Sequence, residues 1–153
     1  MPQPTPIISA CEFGRKDDVQ RLIENGVNIN ALGFNEDLHD RTPLMAALEF
    51  QEVEIAVLLL AAGADVNVVN SCGWTALHFA ARGDDNVIGG EGHLEALRCI
   101  LSTTQLNVNA LTNASVGETA LDIIIDNVQG EQKDQLIELI HHSGGRRAIE
   151  GVF

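Results

Sequence analysis

Thr75-Ala76-Leu77-His78-Phe79-Ala80-Ala81 decides how this chain is read, because Thr42-Pro43-Leu44 opens a segment of the same kind 33 residues earlier. Each opening is followed by small apolar residues and then by a longer run rich in Leu and Ile. The two runs close on Ala62-Gly63-Ala64-Asp65-Val66-Asn67 and on Leu106-Asn107-Val108-Asn109. Self-similarity at a fixed step of this size marks units that stack. The pattern extends outward with altered spacing. Thr5-Pro6-Ile7 lies 37 residues before Thr42, and its second run, Val19 to Ile23, leads into Asn28-Ile29-Asn30. Thr119-Ala120-Leu121 lies 44 residues after Thr75, and its second run, Leu136 to Ile140, closes at Ser143-Gly144.

Each unit reads as two short antiparallel helices. Thr42 fits an N-cap, where its hydroxyl accepts an amide of the first turn that has no helical partner. Pro43 suits the first helical position, which needs no amide hydrogen. Gly63 fits the residue just past the second helix, where a left-handed backbone suits Gly. Leu58, Leu59 and Leu60 span most of a turn, so that helix needs cover on more than one side. A lone helix pair cannot supply it and stacked neighbours can.

These motifs resemble the ankyrin repeat. Its Thr-Pro-Leu-His-x-Ala core is matched by Thr75-Ala76-Leu77-His78-Phe79-Ala80, its second helix by Gly92-His93-Leu94-Glu95-Ala96-Leu97-Arg98-Cys99-Ile100-Leu101, and its hairpin opening by Gly63-Ala64-Asp65-Val66-Asn67. The resemblance implies an all-α solenoid of about four stacked repeats, helix-turn-helix units with projecting β-hairpin loops. It implies one domain over residues 1–145, with repeats near 5–37, 38–70, 71–114 and 115–145 and a tail over 146–153. It also implies a concave face built by the first helices.

Composition agrees with such a stack. A chain of 153 residues buries roughly 70% of the surface its unfolded form exposes. Apolar residues make up 45% but aromatics only 4%, with one Trp and no Tyr, so the core rests on Leu, Ile, Val and Ala. The formal net charge of −13 argues against nucleic acid and against an anionic membrane surface. The acidity reads either as a solvated surface or as a field that steers a basic partner. Three cysteines, Cys11, Cys72 and Cys99, form no CxxC pair, which favours a reducing compartment over a disulfide framework. No signal peptide is read at the start, and the longest apolar run, Ile55 to Ala62, is too short to span a bilayer. The setting expected is intracellular, cytoplasmic or nuclear, with the chain a monomer.

Three departures from the regular unit stand out. The first hairpin, Ala31 to Arg41, is about four residues long beyond the norm; about eight extra residues fall between the helices of the third unit, in the insert 83–91; and the third hairpin is extended through Asn113-Ala114-Ser115. Insertions in solenoids fall in loops and often serve a binding face, and they are also tolerated as plain surface. In the fourth unit Asp122-Ile123-Ile124-Ile125 replaces His78-Phe79-Ala80-Ala81, as suits an end unit with no further helix pair close by.

Catalytic and metal chemistry find little to work with. His93 and Glu95 stand at the start of a helix, His141 and His142 suit a helix C-terminus, and no third ligand is spaced for zinc. The cysteines lack a base and an orienting group. No cofactor, metal or catalytic residue is assigned. Asn67 and Asn109 read as holding their hairpins by side-chain hydrogen bonds, and His78 matches the family's histidine that bonds between neighbouring repeats. The function expected is a protein-binding module, an adaptor, inhibitor or regulator that binds a partner protein through the concave face and the hairpin loops. The rival is an enzyme or a small-ligand or cation-binding domain using Asp84, Asp85 and Glu91 of the insert.

The resemblance places contact residues one before each unit's Thr and seven and eight after it. One before gives Pro4, Arg41, Trp74 and Glu118, seven after gives Glu12, Glu49, Arg82 and Asp126, and eight after gives Phe13, Phe50, Gly83 and Asn127. Of these Arg41, Trp74, Glu49, Arg82, Phe13, Phe50 and Asn127 are taken as contacts, with Phe34 of the long hairpin extending the patch. Phe13, Arg41, Phe50, Trp74 and Arg82 are expected at its centre, because grouped exposed aromatics and Arg mark interfaces.

Overall fold

The computed structural model describes residues 5–34, 40–83 and 91–148. They form four helix pairs: α1 (Pro6–Glu12) and α2 (Lys16–Glu24), α3 (Pro43–Glu49) and α4 (Val53–Ala61), α5 (Ala76–Arg82) and α6 (Glu91–Leu101), α7 (Ala120–Asn127) and α8 (Lys133–His142). Between the first two pairs, β1 (Gly33–Phe34) and β2 (Asp40–Arg41) run antiparallel, Gly33 opposite Arg41 and Phe34 opposite Asp40. Most of the insert, residues 84–90, lies outside the described residues, as do residues 35–39 of the first hairpin and 149–153 of the tail.

Local chemistry sets the helix ends where the sequence places them. Thr42 is extended, and its hydroxyl accepts the Met45 amide at 3.2 Å while Pro43 opens α3. Gly63 follows α4 at φ +92°, and the Ala64 amide reaches back to the Leu59 carbonyl at 3.0 Å. The same six-residue closure ends α1 and α3, through Arg15 to Ala10 and Glu52 to Ala47. It requires a left-handed residue, Gly14 at φ +64° in the first unit but Gln51 at φ +60° in the second. A side chain there is strained.

Packing forms two layers. The first helices α1, α3, α5 and α7 touch in sequence, and the second helices α2, α4, α6 and α8 do likewise behind them. In α3 every residue from Pro43 to Glu49 is buried. Ala46, Ala47, Ala80 and Ala81 are inaccessible, so the inner helices approach closely through small side chains. One apolar cluster runs from Ile7 to Ile140 without a break between units.

The units also grip one another through polar groups. Asn30 accepts the Asp65 amide at 2.7 Å. Asn67 accepts the Asn107 amide at 2.9 Å and donates to the Gln105 carbonyl at 2.6 Å. Asn109 accepts the Arg146 amide at 2.8 Å and donates to the Gly144 carbonyl at 3.1 Å. Asn67 and Asn109 thus hold the following segment rather than their own hairpins, a role their place in each triplet did not reveal. His78 is buried, and its Nδ1 accepts the Thr75 amide at 3.0 Å. The ring proton is therefore on Nε2, which donates to the carbonyls of Ala110 at 2.9 Å and Glu118 at 3.2 Å in the next hairpin. Burial holds its pKa below the ordinary value against the pull of those two carbonyls, so the ring is neutral.

In the fourth unit Asp122 takes the place of His78. Its Oδ2 accepts the Thr119 amide at 3.0 Å and the Ala148 amide at 2.8 Å, and its Oδ1 accepts from Arg147 Nε at 2.9 Å. Residues 144–148 thus lie where the hairpin of another unit would lie. Burial pushes the Asp122 carboxyl up. The amides of Thr119 and Ala148, the Arg147 guanidinium and the Thr119 hydroxyl outweigh it together and leave its pKa below the usual 3.8. Its contribution to stability is therefore fully present above that value and lost as pH falls through the lower folded pKa.

Two predictions follow from these ends. Gln51→Gly should raise the unfolding free energy by about 0.5–1 kcal/mol, as relief of left-handed strain exceeds the added flexibility of Gly; a urea titration with no gain removes the strain argument. Asp122→Ala should lower stability by about 2–3 kcal/mol near neutral pH through loss of charge-assisted hydrogen bonds. The difference from the parent should shrink as pH falls below about 4, read by thermal melts across pH.

Candidate partner-binding face

The C-terminal ends of the four first helices carry the residues singled out by their offsets. Phe13 caps α1, Phe50 caps α3, Arg82 ends α5 and Asn127 ends α7. Trp74 precedes Thr75, just as Arg41 precedes Thr42.

Four of the named residues meet, together with Glu12, which shares the offset of Glu49, and with Phe79, which lies off the pattern. Arg41 Nε lies 2.7 Å from Glu49 Oε2, its Nη2 donates to Glu49 Oε1 at 3.3 Å, and its Nη1 lies 3.7 Å from Glu12 Oε1. The close Nε contact is an ion pair without a hydrogen bond. The Arg41 guanidinium also stands 5.4 Å above the centre of the Phe79 ring. Phe79 packs tilted against Trp74 with ring centres 5.1 Å apart, and Arg82 lies 5.8 Å above the indole. Charge and ring contacts therefore run across three units, from Glu12 through Arg41 to Trp74 and Arg82.

Two of these residues do not sit where they were expected. Arg41 is 4% exposed and Glu49 6%, so neither offers a surface to a partner. Each neutralises the other beneath the face, and the Phe79 ring covers the guanidinium. Burial pushes the Glu49 carboxyl up, as does Glu12, and together they exceed the lowering by Arg41 and Arg82. The other named residues are reachable to different degrees. Phe13 is 64% exposed with Arg15 over its ring at 5.5 Å, Phe34 is 41% exposed, and Asn127 is exposed and donates to the Ile123 carbonyl at 3.0 Å. Phe50, Trp74 and Arg82 are half-buried. The offsets missed Phe79 as a support; they included Glu12, at the same offset as Glu49, but not its part as a second carboxylate. Two Glu seven residues after neighbouring Thr residues, with one Arg between, were the available signal.

Asp84 and Asp85 lie outside the described residues; Glu91 is exposed at the first position of α6. Among the described residues no group of three His, Cys, Asp or Glu side chains is placed to hold a metal ion. His93, buried, pairs its Nε2 with the Ala81 carbonyl at 2.9 Å, which ties α6 to α5. Cys11 is buried, and burial with Glu12 and Glu52 nearby raises its thiol to about 12; Cys72 is exposed.

The family description "Ankyrin repeats (3 copies)" matches residues 2–70 and 32–109. The chain belongs to the ankyrin-repeat family. It is 35% identical over 109 residues, 71% of its length, to glycerophosphocholine phosphodiesterase gde1 of Schizosaccharomyces pombe, of which that match covers 9%. It is 41% identical over 73 residues, 46% of its length, to an ankyrin repeat protein of Fowlpox virus, 20% of which is covered. It is 45% identical over 74 residues, 48% of its length, to inversin of Mus musculus, 7% of which is covered. The chain thus spans at most a fifth of these relatives. Ankyrin repeats are generally protein-interaction modules, and among the described residues no helix is long and apolar enough to cross a membrane.

The buried ion cluster generates a prediction. Arg41→Met leaves Glu12 and Glu49 together under the ankyrin face without their cation, and should lower stability by about 3–5 kcal/mol near neutral pH. The raised Glu49 pKa already means that stability tied to its neutral form is present below the ordinary 4.5 and lost as pH rises through the folded value. Without Arg41 that dependence steepens, so the defect should be smaller at about pH 5 than at about pH 7. Urea unfolding at both values measures it.

Proposed function

We propose that the chain binds a partner protein through the concave face and the hairpin loops of its stack, with Phe13, Phe50, Trp74 and Arg82 in contact and Phe34 and Asn127 at the margins. Arg41 and Glu49 act from below, fixing Phe79 and through it the Trp74 ring. The observation that carries this reading is the alignment of exposed or half-exposed aromatic and Arg side chains at the ends of successive first helices. Trp and Arg are enriched among residues that dominate binding energy. Ring contacts that fix their orientation before binding reduce the entropy lost on association.

The module acts as an adaptor, inhibitor or regulator and does not catalyse a reaction. The phosphodiesterase similarity covers a small part of that enzyme and does not favour the catalytic rival. The proposed setting is intracellular, in keeping with three free cysteines.

Affinity isolation from native extract with the parent chain as bait, followed by calorimetry on the protein recovered, tests the face. Phe13→Ala and Trp74→Ala should each weaken that complex by about 2 kcal/mol, near thirtyfold, with thermal melts showing both variants folded. Folded variants that bind within twofold of the parent overturn this placement.

A further inference from the structure

Seven large apolar side chains are exposed among the described residues, and five of them lie on the hairpins: Leu32, Phe34, Val69, Leu111 and Val116. Three occupy the same place in successive hairpins. Leu32, Val69 and Leu111 each stand two residues after the bridging asparagine, Asn30, Asn67 and Asn109. They are 41%, 52% and 54% exposed. Core packing does not account for them: Ile29, Val66, Val68 and Val108 of the same segments pack against or within the apolar cluster, and Leu32, Val69 and Leu111 do not.

The hairpins that carry the row are fixed to one another on both sides of it. Asn30 and Asn67 bridge to the next hairpin before the row. Beyond it, Ser71 donates from its amide to Asp40 at 2.9 Å and from its hydroxyl at 2.6 Å, and the Asn113 amide donates to the Cys72 carbonyl at 2.9 Å. The three side chains are therefore held in line.

Charge around the row has one sign. In the described parts of the three hairpins the acids are Asp40, Asp65 and Glu118, and Arg41, the one base there, is buried against Glu49. Lys16, Arg21 and Arg98 lie on the outer helices, each paired with a carboxylate: Glu54, Asp18 and Glu95. Arg146 and Arg147 lie past the third hairpin.

We infer that the hairpin edge, anchored by Leu32, Val69 and Leu111, docks an amphipathic helix of a partner protein whose apolar stripe is flanked by Lys and Arg. This rests on the reading of the chain as a protein-binding module and names the class of partner for the hairpin part of its surface. Spacing excludes a strand, and the aliphatic character of the row selects the helix over the polyproline segment that remains. Packed helices sit about 8–10 Å apart, so equivalent hairpin residues repeat at about that step. A helix returns a side chain to one face every seven residues, about 10.5 Å along. A strand returns one about every 6.7 Å or 13.4 Å and misses the step. A polyproline helix returns one every third residue at about 9.3 Å, but such segments dock on aromatic-lined grooves, and this row is aliphatic.

The test uses two labelled peptides and the whole chain. One is an 18-residue helix-forming peptide with Leu at seven-residue spacing flanked by Lys; the other is proline-rich with Leu at every third position and the same Lys content. Fluorescence anisotropy should show the helical peptide binding at least tenfold more tightly than the proline-rich one, weakening as salt rises. The triple variant Leu32→Ser, Val69→Ser, Leu111→Ser should reduce that binding at least tenfold, while Phe13→Ala with Trp74→Ala leaves it unchanged. Should the triple variant melt early, the single variant Leu111→Glu takes its place with the same expected direction. Equal binding of both peptides, no binding of the helical one, or binding unaffected by the row overturns the inference. Loss through Phe13 and Trp74 alone overturns it in favour of the concave face.

Discussion

No helix pair in this chain can bury its own apolar surface, and every other feature follows from that. The inner helices α3 and α5 are buried along nearly their whole length, with Leu44 and Leu48 on one and Leu77 and Ala80 on the other. Two helices leave such faces open to water, at about 25 cal/mol per Å² of apolar area. The neighbouring unit closes them, and small residues at Ala46, Ala47, Ala80 and Ala81 let it come close. Stability in such an array is a sum of weak units and strong interfaces between them.

Apolar contact alone sets no register, and the polar bridges supply it. Asn30, Asn67 and Asn109 each accept an amide of the following segment, so a slip by one residue leaves an amide and an amide oxygen without partners. His78 adds a donor to the carbonyls of the next hairpin. The exchange of His78 for Asp122 in the fourth unit reverses that polarity: the carboxylate accepts an amide and a guanidinium from residues 147 and 148. A histidine there has one ring nitrogen engaged by its own cap and a proton on the other, and could not accept both. The substitution thus matches a segment that offers donors.

How much of this was legible turns on distance along the chain. Thr42, Pro43 and Gly63 act through atoms a few residues away, and their roles read directly from the sequence. The stack read equally well, because apolar density on three sides of one helix admits few arrangements. The fate of Arg41 did not. Long charged side chains belong on the surface by default, and its burial depends on Glu12, Glu49 and Phe79, which meet only once three units have stacked. Gln51 hides for the opposite reason: its backbone strain is local, but a residue type tolerant of many conformations gives no sign of it. Leu32, Val69 and Leu111 look like core residues, and only exposure sets them apart.

The same burial changes what a net charge of −13 means for recognition. Arg41 is withdrawn from the surface with Glu49, and Lys16, Arg21 and Arg98 are matched by carboxylates on the outer helices. What remains is acidic throughout: the outer helices keep Asp17, Glu24, Glu91, Asp134 and Glu138 beyond their ion pairs, and on the hairpin edge Asp65 and Glu118 have no base close in sequence. Paired exposed charges contribute little to a distant field and are screened within about 8 Å at physiological salt. The acidic field is therefore general, and what distinguishes the hairpin edge is the apolar row it carries. An acidic edge with aliphatic side chains at its crest repels anionic polymers and membranes and orients a cationic, partly apolar protein segment, so charge selects the class of partner and the apolar row supplies the contact.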